Sequence, residues 1–346
     1  MSSVASQQRV LSGMRPTGRL HLGHYHGVLK NWVKLQYEYD CFFFAADWHA
    51  LTTAYENPHG IGQSTFEMIV DWLAAGVNPN ACNIFIQSRV PEHAELHLLL
   101  SMMTPLSWLE RVPTYKDQQE KLMHKDLTTY GFLGYPLLQA ADILIYRADK
   151  VPVGEDQVPH IEFTREIARR FNYLYGQTGR KLPDGDPELR TYLVEPAALL
   201  TEASKMPGLD GQKMSKSYGN TIALREDEES IRKKIRTMKT DPQRVRRTDA
   251  GDPEKCPVWQ FHQIYSNDEV KAWVQQGCRT AGIGCIECKQ PVIEGVLKEQ
   301  EPMRERARRY EEDPQLVRRI VAEGCERARM MAQDTMRDVR AAIGLE

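Results

Sequence analysis

Apolar and polar positions follow a repeating order through the first half of the chain. Arg9-Val10-Leu11-Ser12-Gly13 is a short strand that runs into the turn Met14-Arg15-Pro16-Thr17-Gly18. Leu20, Leu22, Val28, Leu29, Trp32 and Val33 then fall on one helical face. Cys41 to Ala46 and Asn83 to Gln87 are apolar runs with the length of buried strands, while Ser64 to Ala75 and Glu92 to Met103 carry the helical period. Tyr135 to Tyr146 reads as an apolar helix with one carboxylate inside it. Val151-Pro152-Val153 is a further strand, and Ile161, Phe163, Ile167 and Phe171 mark the helix after it. This alternation predicts an α/β fold, a Rossmann-like domain with a parallel sheet and helices on both faces. In such a sheet ligands bind beyond the carboxyl ends of the strands. Those ends carry Gly13, Asp47 to His49, and Gln87-Ser88. The polar segment from Ser107 to Thr129 is expected to be a solvated helix or a mobile arm.

The pattern changes after about residue 220. Arg225 to Arg247 has nine Lys/Arg against five Asp/Glu, with Ile231, Ile235 and Met238 on one apolar face and Asp241-Pro242 as its stop. That charge suits a solvated amphipathic helix or a phosphate-contacting face. From Glu301 to Glu346 ten basic and ten acidic residues cancel, and the spacing predicts long helices without strands. A boundary near 220 divides residues 1–220 from a helical domain at 221–346. The length of 346 residues agrees with two domains.

Composition removes several classes of protein. Hydrophobic residues at 41% and charged residues at 27% are those of an ordinary globular chain. A formal net charge of −2 provides no global basic field, so a nucleic-acid partner has to bind local patches. No apolar run reaches membrane-spanning length, and Met1 to Gln8 lacks an apolar signal core. A cytoplasmic protein is expected. Seven cysteines, an odd count, argue against a disulfide framework.

Two segments carry phosphate chemistry. His21-Leu22-Gly23-His24 sits at a helix start after a strand, where free N–H groups and the helix dipole favour an anion. Gly23 leaves room for a flat ring, and the histidines either donate to phosphate or cap the helix. Far downstream, Gln212-Lys213-Met214-Ser215-Lys216-Ser217 follows the loop Pro207-Gly208-Leu209-Asp210-Gly211. Two ammonium groups and two hydroxyls on a loop suit charge that grows in the reaction, such as a departing pyrophosphate. Asp142 is either a surface carboxylate or the acceptor at the bottom of a pocket, because an unpaired buried carboxylate is costly. Glu155 or Asp156 can accept from ribose hydroxyls, and Asp156 equally well caps the next helix. No G-x-G-x-x-G follows the first strand, which removes a dehydrogenase-type dinucleotide module. Cys256, Cys278, Cys285 and Cys288 are spaced C-x₂₁-C-x₆-C-x₂-C, a donor set for tetrahedral zinc or an iron–sulfur cluster, or else unliganded thiols. Cys41, Cys82 and Cys325 read as core thiols.

Taken in order, Ser12 to Gly18, His21 to His24, Tyr135-Pro136 through Leu144, Val151 to Gln157 and Pro207 to Ser217 resemble the bacterial tryptophanyl-tRNA synthetases, members of class I, over nearly the whole chain. The resemblance implies ATP with Mg²⁺, L-tryptophan and tRNA(Trp) as partners, a homodimer, and an anticodon-reading helical domain. It implies Lys213, Lys216, His21 and His24 as catalytic residues. Arg15, Pro16, Thr17, Gly23, His24, Gly154, Glu155, Asp156, Lys205, Lys213, Met214, Ser215, Lys216 and Ser217 would bind ATP. Asp142 would accept the indole N–H, Tyr135 and Gln157 would bind the amino acid's charged groups, and Val151 and Val153 would pack on its ring. Some members carry a [4Fe–4S] cluster on a nearly identical cysteine spacing, so a cluster is expected at the four cysteines, with zinc as the alternative.

Overall fold

The central strand is the one that opens the pattern. In the computed structural model, which describes residues 7–112, 129–182, 187–200 and 206–345, β1 (Arg9–Met14) lies between β2 (Asp40–Ala45) and β4 (Lys150–Val153). β3 (Asn83–Ile86) flanks β2. After the hairpin of β5 (Gln177–Lys181) and β6 (Pro187–Leu189), β7 (Ala197–Leu200) flanks β4. The order β3-β2-β1-β4-β7 is parallel throughout. Cys41 to Ala45 are at most 5% exposed, which is why β2 reads as an unbroken apolar run. The order reverses at β1, so a switch-point crevice opens beyond the ends of β1 and β4.

Helices cover both faces, close to where the period places them: Ile61–Ala75, Glu92–Ser101, Tyr135–Leu144 and Val158–Tyr175. The first helix differs. It starts at Leu22–His24, widens into a π-turn at Tyr25–Leu29 and resumes at Lys30–Leu35; such bulges are frequent at functional sites. Asp156 does not cap the helix after β4. Glu155–Gln157 form a separate 3₁₀ turn, Gln157 occupies the cap position without a side-chain bond, and Asp156 accepts from the Gln157 amide at 3.0 Å. Of the segment Ser107 to Thr129, Ser107 to Glu110 belong to the short helix Leu106–Glu110, and residues 113–128 lie outside the described residues.

Beyond residue 220 the chain is helical. Glu228–Thr237 is capped by Asp227, which accepts from Ser230 N at 2.8 Å. Two long helices, Cys285–Glu312 and Pro314–Ile343, close the chain. Their apolar faces join the sheet's own core: one buried cluster runs from Val10 and Phe43 through Ile222 and Ile231 to Val296 and Val321. Among the described residues no helix is long and apolar enough to cross a membrane. Cys41, Cys82 and Cys325 are buried thiols, as expected.

The last helix meets β3 through Gly324. A Cβ there would lie 1.9 Å from the Ile84 carbonyl oxygen, backbone against backbone. Gly324→Ala gains about 1 kcal/mol of helix propensity but forces the helix off the strand. Overpacking costs about 1–3 kcal/mol and more where neither side can yield. The urea midpoint is expected to fall; a midpoint at or above the wild type would mean that the helix does not press on the strand.

Candidate active site

His21 and His24 both cap the helix and remain available to a ligand. His21 Nδ1 accepts from Gly23 N at 3.1 Å, and His24 Nδ1 accepts from His21 N at 3.2 Å. Each imidazole therefore carries its proton on Nε2, the nitrogen free to donate. Burial, then Lys216, brings His21 down to about 4. Burial, then His21, Lys216 and Lys213, brings His24 down to about 3. Near neutral pH both are uncharged hydrogen-bond donors. Gly23 has no room for a side chain, since a Cβ would lie 2.9 Å from the His21 ring and 3.4 Å from Met214.

The two distant segments meet because the chain leaving the lysine loop pairs with the approach to the histidines. Leu22 N donates to Ile222 O and Leu224 N to Leu20 O, each at 3.0 Å, around a bridge between His21 and Ala223. Asn220 frames the loop itself. Its Oδ1 accepts from Ser215 N at 2.8 Å, and its amide donates to Asp210 Oδ1 at 2.7 Å and to the Lys213 carbonyl at 3.2 Å. Lys216 Nζ donates to the Thr17 carbonyl at 2.7 Å. Burial lowers its pKa and Asp71 acts the other way.

A cleft of about 1260 Å³ opens between these segments. Thr17, His21, Gly23, His24, Val153, Gly154, Asp156 and Lys213 to Ser217 line it, so most of the residues expected to hold ATP are gathered there. Arg15, Pro16 and Glu155 do not line it, and Lys205 lies outside the described residues. Of the residues expected to hold the amino acid, Val153 borders the cleft. Val151 is buried in β4, and Tyr135 stands edge-on to His49 with ring centres 6.3 Å apart.

Asp142 is completely buried behind His49. Its oxygens accept from Gln87 Nε2 at 2.8 and 2.9 Å, from His49 Nε2 at 2.8 Å and from His93 Nδ1 at 2.6 Å. Burial alone would raise this carboxyl; hydrogen bonds from His49 and His93, then their charges, bring it down to about 2. His93 is held in turn by the Tyr146 hydroxyl at 2.7 Å. Among these partners only His49 keeps some exposure, 10% of its side chain, so it is the gate between Asp142 and the outside. Sequence reading placed His49 and Gln87 at the crevice but missed His93, which the apolar period of its helix conceals.

The expected iron–sulfur cluster is not supported. The four cysteines do surround one small void of about 20 Å³ with Asp241 and Arg244. Among the described residues, however, no group of three or more Cys, His, Asp or Glu is arranged to hold a metal, zinc included. Other groups occupy the sulfurs: Arg244 Nη1 donates to Cys278 Sγ at 3.8 Å, and Cys288 Sγ lies 3.4 Å from His262 Nε2. Burial pushes the Cys288 thiol up to about 12 and raises Cys256 and Cys278 as well.

A parallel sheet with paired histidines at its switch point, closed by a lysine loop from the far side, defines a class I aminoacyl-tRNA synthetase. Residues 4–298 match the family "tRNA synthetases class I (W and Y)", and the chain belongs to that family. A tryptophan–tRNA ligase of Ralstonia nicotianae is 61% identical over 98% of each chain. One of Thermotoga maritima is 51% identical over 97% of this chain and 99% of its own. Among solved structures, tryptophanyl-tRNA synthetase from Campylobacter jejuni, complexed with ADP and tryptophan, has a TM-score of 0.84 at 32% identity, covering 98% of this chain and 100% of that one.

Proposed function

We propose that the chain activates L-tryptophan with ATP and Mg²⁺, giving tryptophanyl-adenylate and pyrophosphate, and passes the tryptophanyl group to the terminal ribose of tRNA(Trp). The observation that carries this reading is the contact of Lys216 with Thr17 at the mouth of the cleft that His21 and His24 line. A tryptophan carboxylate oxygen forms the bond to the α-phosphorus, the bond to the pyrophosphate oxygen breaks, and pyrophosphate leaves with the charge. No protein nucleophile is required, so positioning and charge stabilisation do the catalysis. In this reading Thr17, Gly23, His24, Gly154 and Asp156 hold the nucleotide, and His21, Lys213 and Lys216 meet the departing phosphates. Asp142 accepts the indole N–H once His49 yields, and Tyr135 and Gln157 bind the amino acid's charged groups. Residues 221–346 read the anticodon, and the enzyme works as a cytoplasmic homodimer.

Amino-acid-dependent ATP–pyrophosphate exchange tests this directly. Tryptophan is expected to support exchange and tyrosine to support less by roughly 10²-fold or more, because a site that pairs a buried carboxylate with one donor rejects a ligand that places its donor elsewhere. Equal exchange with tyrosine would reassign the substrate. Absence of exchange with either, in a protein that still binds tRNA, would make it an idle RNA-binding paralogue.

A further inference from the structure

The helix Cys285–Glu312 reaches the histidine segment at two places, through neighbouring residues. Gln300 Nε2 donates to the Ala223 carbonyl at 2.8 Å, and Ala223 is the bridge partner of His21. Glu299, the residue before it, reaches His26. Its Oε2 lies 3.0 Å from His26 Nε2 and accepts from the Tyr265 hydroxyl at 2.7 Å. His26 Nε2 is also 3.2 Å from that hydroxyl oxygen. With the phenolic proton committed to Glu299, both neighbours of Nε2 are acceptors, so His26 carries its proton there and donates to them. Tyr265 ends the helix Pro257–Tyr265, whose Gln260 lines the nucleotide cleft.

These contacts bracket the phosphate donors. His21 stands at one end, and His26, in the π-turn Tyr25–Leu29, at the other. His24 lies between them and lines the cleft. His26, two residues on, is turned about 200° away, toward the helices that carry Glu299 and Tyr265. Nδ1 of His21 and of His24 is spent on backbone N–H groups of the same turn, so the aim of both Nε2 donors follows the backbone from His21 to His26. Packing alone does not require polar groups here. The other buried residues from Leu22 to Leu35 are Leu22, Leu29, Trp32 and Leu35, all apolar. Yet His26 is 6% exposed and Gln300 0%, and Gln300 Oε1 has no partner among the described residues. Apolar side chains would fill these positions without that penalty. Nor is attachment lacking, because Arg225 and Arg306 already tie this helix to Ile61–Ala75, through Glu311 and Asp71 and through the Ala74 carbonyl.

We propose that Glu299 and Gln300 are positioning residues for the activation step. Acting through His26 and through Ala223, they clamp the histidine segment and set the direction in which His21 and His24 meet the phosphates. The proposal rests on the amino-acid-activating function stated above. It gives a helix assigned there to anticodon reading a part in the step that precedes tRNA.

The test is the kcat of tryptophan-dependent ATP–pyrophosphate exchange in His26→Leu and Gln300→Met, with no tRNA present. Each is expected to lose roughly 10- to 100-fold, the cost of aiming a catalytic group about 1 Å off its target. The KM for tryptophan should stay within about twofold. His26→Gln restores an amide donor near the place of Nε2 and is expected to recover most of the loss. His26→Leu combined with Glu299→Leu should be no slower than His26→Leu alone, since both act through one contact. Gly324→Ala supplies the comparison for stability: it weakens the fold away from the cleft and should leave kcat at the wild-type value. Tyr265→Phe keeps the ring and loses one neutral hydrogen bond, so kcat should fall by roughly fivefold. A wild-type kcat in either His26→Leu or Gln300→Met, or a loss that His26→Gln does not recover, overturns the clamp while leaving tryptophan activation intact. If those variants do not fold, a wild-type kcat in Tyr265→Phe overturns it. A wild-type protein that supports no exchange overturns the functional reading, and the clamp with it.

Discussion

Lys216→Ala is expected to slow tryptophan-dependent ATP–pyrophosphate exchange by roughly 10²- to 10³-fold, the usual loss when one preorganised donor to developing charge is removed. The KM for tryptophan should hardly move, because this lysine faces the phosphate side of the site. The loop around it is fixed without help from the ammonium group. Asn220 and Asp210 bond to its backbone and to each other, and Met214 is buried in the core. Lys216 itself reaches outward to an exposed carbonyl. A surface truncation of this kind changes stability by no more than about 0.5 kcal/mol, so thermal unfolding should match the wild type and the defect should be purely catalytic. In the proposed function Lys216 exchanges its bond to the Thr17 carbonyl for one to a phosphate oxygen, and exchanging one acceptor for the other costs the lysine little. An interaction that matures only as pyrophosphate departs lowers kcat and kcat/KM together. If the variant instead showed a raised KM for ATP with normal kcat, Lys216 would be holding the nucleotide in its ground state.

The parts of this site visible in the sequence are those with local signals. The alternation gave the parallel sheet, and a histidine segment after a strand gave a helix start whose Nδ1 atoms turn out to cap the backbone. What the sequence concealed depends on groups brought together from a distance. His93 hides within an apolar helix, and only the fold shows that its two nitrogens join Asp142 to Tyr146. The hairpin of β5 and β6 and the edge strand β7 carry exposed or mixed positions, so period analysis had nothing to detect. Asp156 looked like a cap because residue type and position allowed it, but the chain inserts a 3₁₀ turn first. The cysteines show the limit of spacing as a signal. It brings four thiols around one small void, yet the side chains there are not arranged to hold a metal, and Arg244 and His262 lie against two of the sulfurs.

Arg225 carries the largest expected effect on stability. Its guanidinium donates from Nε to Asp71 at 2.6 Å, from Nη2 to Glu67 at 2.5 Å and from Nη1 to Glu311, with only 5% of the side chain exposed. It joins the chain leaving the lysine loop to the helix Ile61–Ala75 and to the end of the helix Cys285–Glu312. Burial pushes the Asp71 carboxyl up and Arg225 pulls it back, while the second Asp71 oxygen accepts Leu20 N at 2.7 Å just before the histidine segment. Arg225→Met leaves a carboxylate that is 1% exposed without its countercharge. Breaking such a pair from one side costs about 3–5 kcal/mol, which for a chain of this length lowers the thermal midpoint by roughly 5–15 °C. Asp71 already titrates above its ordinary value beside Arg225, and with Arg225 gone it titrates higher still in the folded state. The deficit should therefore be smallest in acid and grow as pH rises through that higher value toward neutrality. Arg225→Met combined with Asp71→Asn removes both charges, and most of the lost stability should return, because a neutral amide retains the bond to Leu20 N without a buried charge. A double variant no more stable than the single one would show that Arg225 acts through Glu67 and Glu311. The ion pair with Asp71 would then be incidental to the junction between the lysine loop and the helices beyond it.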